Sequence, residues 1–426
     1  MTETDASRVT LSDSLPGESS AAPWKLRYWS VFIGQSLSLV GSALTQFVLL
    51  WWVTDTTGSI SALGTAGMAA LLPQALLGPL GGVYADSHNR QLTMILSDMI
   101  SAACMVVLIA LFQTNNIELW HVYAMMAIRS SMQAFQAPAA AASVSMLVPN
   151  HFIQTAAGLT QSVQGVVIMG AAPLGATAIS LMPMGWTLGI DVITVVFGVI
   201  PLLLYTIPQV ITHDNRIKGI WRQFQEGLNV VWHDRAIRDL YGLVSVTVLM
   251  IMPLNTLIPL LVKEHFRGGA PQVAIIESIT GISMIVGGII FAAIKTSRKV
   301  PWIQFGLMGT CVGIAMAASM PSNMFLMAVI IWGVASIGNM MGNAALMSLL
   351  QSTIPNELQG RVISILTTLM GFSAPVGLMI VTPLGQAGIV DARWLFVTFG
   401  AIGAVVQLSG LFSASIRGMD DRRPIS

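Results

Sequence analysis

Four ionisable residues stand inside long apolar stretches of this chain: Asp98, Arg129, Asp191 and Glu277. A formal charge at the centre of a bilayer costs about 2.5–3.5 kcal/mol on insertion scales, so each one needs a partner, a wet cavity or a task. Arg129 is the most demanding, because a guanidinium cannot shed its charge. Asp191 and Asp98 are its candidate partners. Such a pair either fixes helix packing or lets Arg129 tune a carboxylate that gains and loses a proton. Glu277 has no basic partner in its own segment, although Lys263 and Arg267 precede it. It either pairs at the outer interface or exchanges a proton, which is what a proton-coupled carrier needs.

These residues matter because of the solvent around them. Of 426 residues, 54% are hydrophobic and only 9% are charged, against about a quarter charged in soluble proteins. A water-soluble globule of this length needs far more polar surface. An ordinary soluble enzyme, a disulfide scaffold and a disordered chain are therefore excluded. The net charge of +1 offers no footprint for nucleic acid. The two cysteines, Cys104 and Cys311, lie in separate apolar runs and read as small buried hydrophobes.

A helix crosses the hydrocarbon with about 20 apolar residues, and twelve runs qualify: 31–53, 62–84, 92–113, 119–143, 156–182, 186–207, 241–262, 272–294, 302–320, 324–350, 362–385 and 392–413. Every backbone group must be satisfied within its own segment, so these are helices. With the N-terminus inside and the spans alternating, all 20 Lys and Arg fall on cytosolic segments except Lys263, Arg267, Arg393 and the intramembrane Arg129. The positive-inside rule thus predicts both termini in the cytosol of a multi-pass inner-membrane protein. At about 1.5 Å per residue, Asp98 lies about 10 Å from the inner face and Arg129 near mid-membrane.

The expected organisation is a cytosolic tail over 1–27, a six-helix half over 28–207, a linker over 208–240, a second half over 241–416 and a tail over 417–426. Residues 1–23 lack the apolar region of a signal peptide. In the linker, Ile217, Ile220, Trp221, Phe224, Leu228, Val231 and Trp232 recur at helical spacing, opposite Lys218, Arg222, Glu226 and His233. That pattern suits a helix lying on the inner leaflet, as a tether or as a regulatory element.

Between the second and third spans runs Gly82-Val83-Tyr84-Ala85-Asp86-Ser87-His88-Asn89-Arg90. Asp86 and Arg90 can hold an inner gate there, since a carboxylate is stabilised near a facing helix N-terminus. Gln46, Phe47, Met250 and Asn255 are candidate cavity residues, in keeping with 26 methionines whose flexible thioethers suit varied apolar cargo. No phosphate-binding loop, metal motif or nucleophile triad is visible, and no cofactor is expected. Uphill transport would have to draw on an ion gradient.

Gly82, Asp86 and Arg90 resemble the loop signature of major facilitator superfamily transporters, with Ser87, Asn89 and Gln91 departing from it. The chain is more closely similar to macrolide-efflux transporters, a drug:proton antiporter branch. The likeness rests on Gly34-Gln35 with Gly41-Ser42, Ile128-Arg129-Ser130 with Phe135 to Ala139, Ile190-Asp191-Val192, His265-Phe266 with Glu277-Ser278, and Pro355 with Gly360-Arg361-Val362. Gly165, Gly170, Pro173 and Gly175 resemble an exporter motif, with Ala172 in a usual glycine position. The resemblance implies an all-α integral membrane protein of two six-helix halves working by alternating access.

The function so implied is proton-coupled efflux of amphipathic small molecules, with a macrolide-like drug as the leading cargo. Glu277 or Asp191 would take the proton, Arg129 would tune it, and Asp86 with Arg90 would stabilise the closed inner gate. Protons, a small-molecule substrate and lipid are the expected partners of a monomer. The alternatives are export of a siderophore or other metabolite on the same fold, or uptake by proton symport. A membrane enzyme or sensor would need a catalytic constellation or a soluble domain, and neither is apparent.

Overall fold

A computed structural model describes residues 24–207, 225, 228–294, 296, 298–386 and 391–420. Twelve long helices run through these residues. The first six are α1 (Trp24–Thr57), α2 (Ile60–Ser87), α3 (Arg90–Gln113), α4 (Leu119–Leu147), α5 (Ile153–Leu181) and α6 (Met184–Leu204). The second six are α7 (Arg235–Glu264), α8 (Ala270–Ala293), α9 (Val300–Ser319), α10 (Phe325–Thr353), α11 (Asn356–Gln386) and α12 (Ala392–Phe412). Eleven are long and apolar enough to span a bilayer by length and composition. The exception is α4, which carries Arg129, Gln133 and Gln136.

All twelve predicted runs fall on helices, and most helices overrun them, whereas α6 ends at Leu204, short of its run's end at 207. Hydropathy marks only the hydrocarbon portion, whereas caps extend each helix into the polar boundary. Ser59 starts α2, Asn89 starts α3 and Asp234 starts α7, each accepting from an N-terminal amide of its helix. Such an N-cap contributes about 1 kcal/mol. The predicted first tail therefore gives way to helix at Trp24, and α7 begins at Arg235 rather than at 241. Of the linker pattern, residues 208–224, 226 and 227 lie outside the described residues, as do 1–23 and 421–426. Of the described part, Val231 is buried, whereas Leu228 and Trp232 are exposed.

Helix pairing repeats between the halves. In the first half α1 packs on α5 and α6, α2 on α4, and α3 on α4 and α6. In the second, α7 packs on α11 and α12, α8 on α10, and α9 on α10 and α12. Adding six to each helix number converts one set into the other. The halves meet through α2 with α11 and through α5 with α8, a pair of contacts that the same operation exchanges. The outer faces carry exposed Leu181, Leu204, Leu326, Val334, Val405 and Phe412, which only lipid can cover at acceptable cost. Trp120, Trp186 and Trp394 stand exposed at the starts of α4, α6 and α12, where a membrane interface favours indole.

Two carboxylates tie down the C-terminal segment. Asp239 of α7 accepts from the Ser415 hydroxyl. Asp420 accepts from the amides of Lys299 (2.7 Å) and Val300 (3.1 Å) at the start of α9. Asp420→Ala should lower stability by about 1 kcal/mol, read as an earlier unfolding midpoint in detergent with transport little changed.

Candidate functional site

The two ends of the bundle differ. At the end away from the termini, a single apolar cluster joins both halves, including Leu49, Val53 and Leu63 with Leu254, Leu257, Ile276 and Val381. Small residues bring the backbones together there. A Cβ on Gly281 of α8 would lie 2.8 Å from the Cα of Met169 on α5, and one on Gly385 would lie 2.6 Å from Ile60. Lys263 Nζ sits 3.4 Å from Asp55 Oδ1 and donates to the carbonyls of Thr54 and Asp55, tying α7 to α1. At the terminus-bearing end the apolar clusters are separate: one belongs to the first half around Tyr28, Met94 and Leu202, the other to the second around Leu240, Leu349 and Leu366.

Between α1, α3, α4 and α5, toward that second end, lies a cavity of about 510 Å³. Its wall runs from Tyr28 and Gln35 on α1 through Gln133 and Gln136 on α4 to Gln161 and Gln164 on α5. No lining residue carries a charge. The hydroxyl of Tyr28, a residue 1% exposed, has no hydrogen-bond partner among the described residues. None of these glutamines is among the cavity residues expected from the sequence, although they left a signal: Gln133 and Gln136, like Gln161 and Gln164, are three apart and share a helix face. Together with Arg129 they form a polar stripe on α4.

Beside the cavity lie the buried charges of the first half. Arg129 Nη2 is 2.9 Å from Asp191 Oδ2, with Arg129 13% and Asp191 0% exposed. The contact is an ion pair lacking hydrogen-bond alignment at that oxygen. Ser42 Oγ donates to the other carboxylate oxygen at 3.1 Å, and Arg129 Nη1 approaches Met105 Sδ at 3.5 Å. Of the two partners the sequence left open for Arg129, the fold brings up Asp191.

Asp98 of α3 is 4% exposed and has a different environment. Gln136 Nε2 donates to its Oδ1, and Gln35 Nε2 donates to its Oδ2 at 3.2 Å. The same Gln35 nitrogen is 3.2 Å from the carbonyl of Gly198 on α6, and Gln136 Nε2 is 3.3 Å from Gln35 Oε1. Four helices thus converge on one carboxylate through two amides.

Other candidates stand apart. Glu277 lies in α8, near the end away from the termini, with no hydrogen bond or ion pair among the described residues. Phe47 is buried against Gly175 of α5, while Gln46 and Met250 are half-buried and Asn255 is exposed; none of the four lines the 510 Å³ cavity. Asp86 Oδ1 is 3.2 Å from Arg90 Nη2. Arg90 also donates to the carbonyls of Ala85 (3.0 Å) and Ala142 (3.2 Å), clamping α2 to α4. A Cβ on Gly82 would meet open space.

The departures from the loop signature have structural uses. Asn89 caps α3, and Gln91 donates to the carbonyl of Leu202 and accepts from the amide of Ile207, joining α3 to the end of α6.

Two repeats of six helices, joined by one apolar cluster at one end and holding separate clusters at the other, with a cavity inside the first half, have the build of a membrane transporter. The Major Facilitator Superfamily profile matches residues 31–378. The chain belongs to that superfamily. It is 27% identical over 362 residues to macrolide efflux protein A of Streptococcus pyogenes, covering 84% of this chain and 89% of that one. It is 23% identical over 410 residues to the multidrug efflux pump Tap of Mycolicibacterium fortuitum, covering 89% and 94%. The fold matches a crystal structure of a bacterial homologue of the human lysosomal transporter Spinster, described as inward-facing and unoccupied. The TM-score is 0.72 at 13% identity, over 96% of this chain and 100% of that one.

Proposed function

We propose that this transporter exports amphipathic organic molecules, macrolide-like drugs foremost, in exchange for protons. The observation that carries the proposal is the cavity itself: apolar walls interrupted by uncharged amides, adjoining two buried carboxylates, toward the end where the halves hold separate apolar clusters. A pocket of several hundred Å³ with a few placed polar groups suits a drug-sized ligand. With both termini in the cytosol, the end with separate clusters faces the source of an exported compound. The named relatives point to the same class of cargo.

The amides of Gln133, Gln161 and Gln164 have no protein partners among the described residues, so they offer donors and acceptors to hydroxyl and carbonyl groups of a ligand. An anionic siderophore would need cationic walls, and the lining supplies none. The proton is held by a buried carboxyl group, and one chain makes one complete path.

The test is accumulation of a radiolabelled macrolide in cells of an efflux-deficient host with and without the protein. Expression should lower accumulation, and a protonophore should restore it. Equal accumulation in both strains removes macrolides as cargo; efflux that survives uncoupling removes the proton.

A further inference from the structure

We propose that Asp98 is the proton-binding group of the transport cycle and that Gln136 reports its protonation state to the cargo cavity, a reading that rests on the function proposed above. The two amides that hold Asp98 differ in their other partners. Both oxygens of Asp98 accept from amide NH2 groups, which is the pattern of an ionised carboxylate. Gln136 lines the cavity, and its carbonyl oxygen has no partner among the described residues, leaving it to face a ligand.

A protonated Asp98 must donate its new O–H, and in this arrangement it meets only donors. One amide has to rotate. Gln35 resists rotation, since its nitrogen also donates to the Gly198 carbonyl, and turning it would set oxygen against oxygen. Gln136 Nε2 also meets an oxygen, Gln35 Oε1 at 3.3 Å, but that oxygen is on a side chain and can swing aside, whereas the Gly198 carbonyl is fixed in α6. Its rotation offers a carbonyl to the Asp98 hydroxyl and turns its NH2 toward the cavity. A ligand N–H that donated to the Gln136 oxygen then faces a donor. Proton and cargo so become competitors without touching each other, as antiport requires.

The surrounding charges leave this role to Asp98. On α6, Asp191 is held by Arg129 of α4, the charged residue of that helix, and by Ser42 of α1. Lys25, Arg27 and Asp55 of α1 and Asp86 of α2 lie toward the ends of their helices. Arg90 of α3 is engaged at its start. Asp98 is the carboxylate whose partners are neutral and also line the cavity.

Binding of radiolabelled erythromycin to the purified full-length protein, measured from about pH 6 to pH 8, tests the relay. The native protein should bind more tightly at the higher pH, by a factor within the 5- to 150-fold range usual for coupled sites. Asp98→Asn and Gln136→Leu should each flatten that dependence, while Gln133→Leu should weaken binding at every pH and keep the slope. A slope that survives in Asp98→Asn or Gln136→Leu overturns the proposal. Acid-induced infrared difference spectra give a readout that needs no ligand. A protonated-carboxyl band should appear in the native protein, vanish in Asp98→Asn and shift in Gln136→Leu. A band indifferent to Gln136→Leu overturns the relay even where erythromycin fails to bind, a failure that by itself would count only against the cargo class.

Discussion

Arg129→Leu should be the most damaging single substitution in the chain. It strands Asp191, which is fully buried and among the described residues keeps only the Ser42 hydroxyl as a donor. Removing one member of a buried ion pair costs about 3–5 kcal/mol, much of it from the charge left behind. The expected result is a large drop in the detergent unfolding midpoint and loss of efflux. The double variant Arg129→Leu with Asp191→Leu separates the two readings of this pair. Replacing both charges with apolar groups of similar volume is often neutral for stability, so the fold should recover. If efflux recovers as well, the pair only packs helices. If efflux stays absent in a stable protein, the pair acts in the cycle.

Gly281→Leu should act on the conformational equilibrium. Its Cβ would stand 2.8 Å from the Cα of Met169 and 3.0 Å from its Cβ, and the backbone has no side-chain rotamer with which to yield. Overpacking of this kind costs about 1–3 kcal/mol, and only the state in which α5 and α8 touch bears it. The balance should therefore move by about 5- to 150-fold toward the state parted at that end. Spin labels at Thr177→Cys and Ile275→Cys, on facing walls of the crevice between these helices, should report a longer distance. Efflux should fall while the unfolding midpoint moves little. An unchanged distance distribution would show that this contact does not govern closure.

The twelve helices were legible because lipid imposes a length and forbids unpaired backbone, and those two rules leave one kind of segment. The charges were legible as a set for the same reason. Their pairing was not. Arg129 could reach Asp98 or Asp191 on depth alone, and only the rotation of α3 and α6 about their axes brings up Asp191. The cavity was the least visible part. Met250 and Phe47 attract attention by size and chemistry, yet the amides in the wall of the 510 Å³ cavity come from glutamines, whose i, i+3 spacing on α4 and α5 is a weaker mark than a formal charge. Burial of Phe47 against Gly175 follows from two helices meeting at a glycine, which no single segment announces.

A wall without formal charge also determines what the cycle does electrically. Under the exchange proposed above, a neutral amphiphile leaving through such a passage carries no current, so every proton admitted brings one net positive charge inward. The membrane potential then adds about 2.3 kcal/mol per 100 mV to the drive. Expulsion would continue in a polarised cell even where the two compartments share the same acidity.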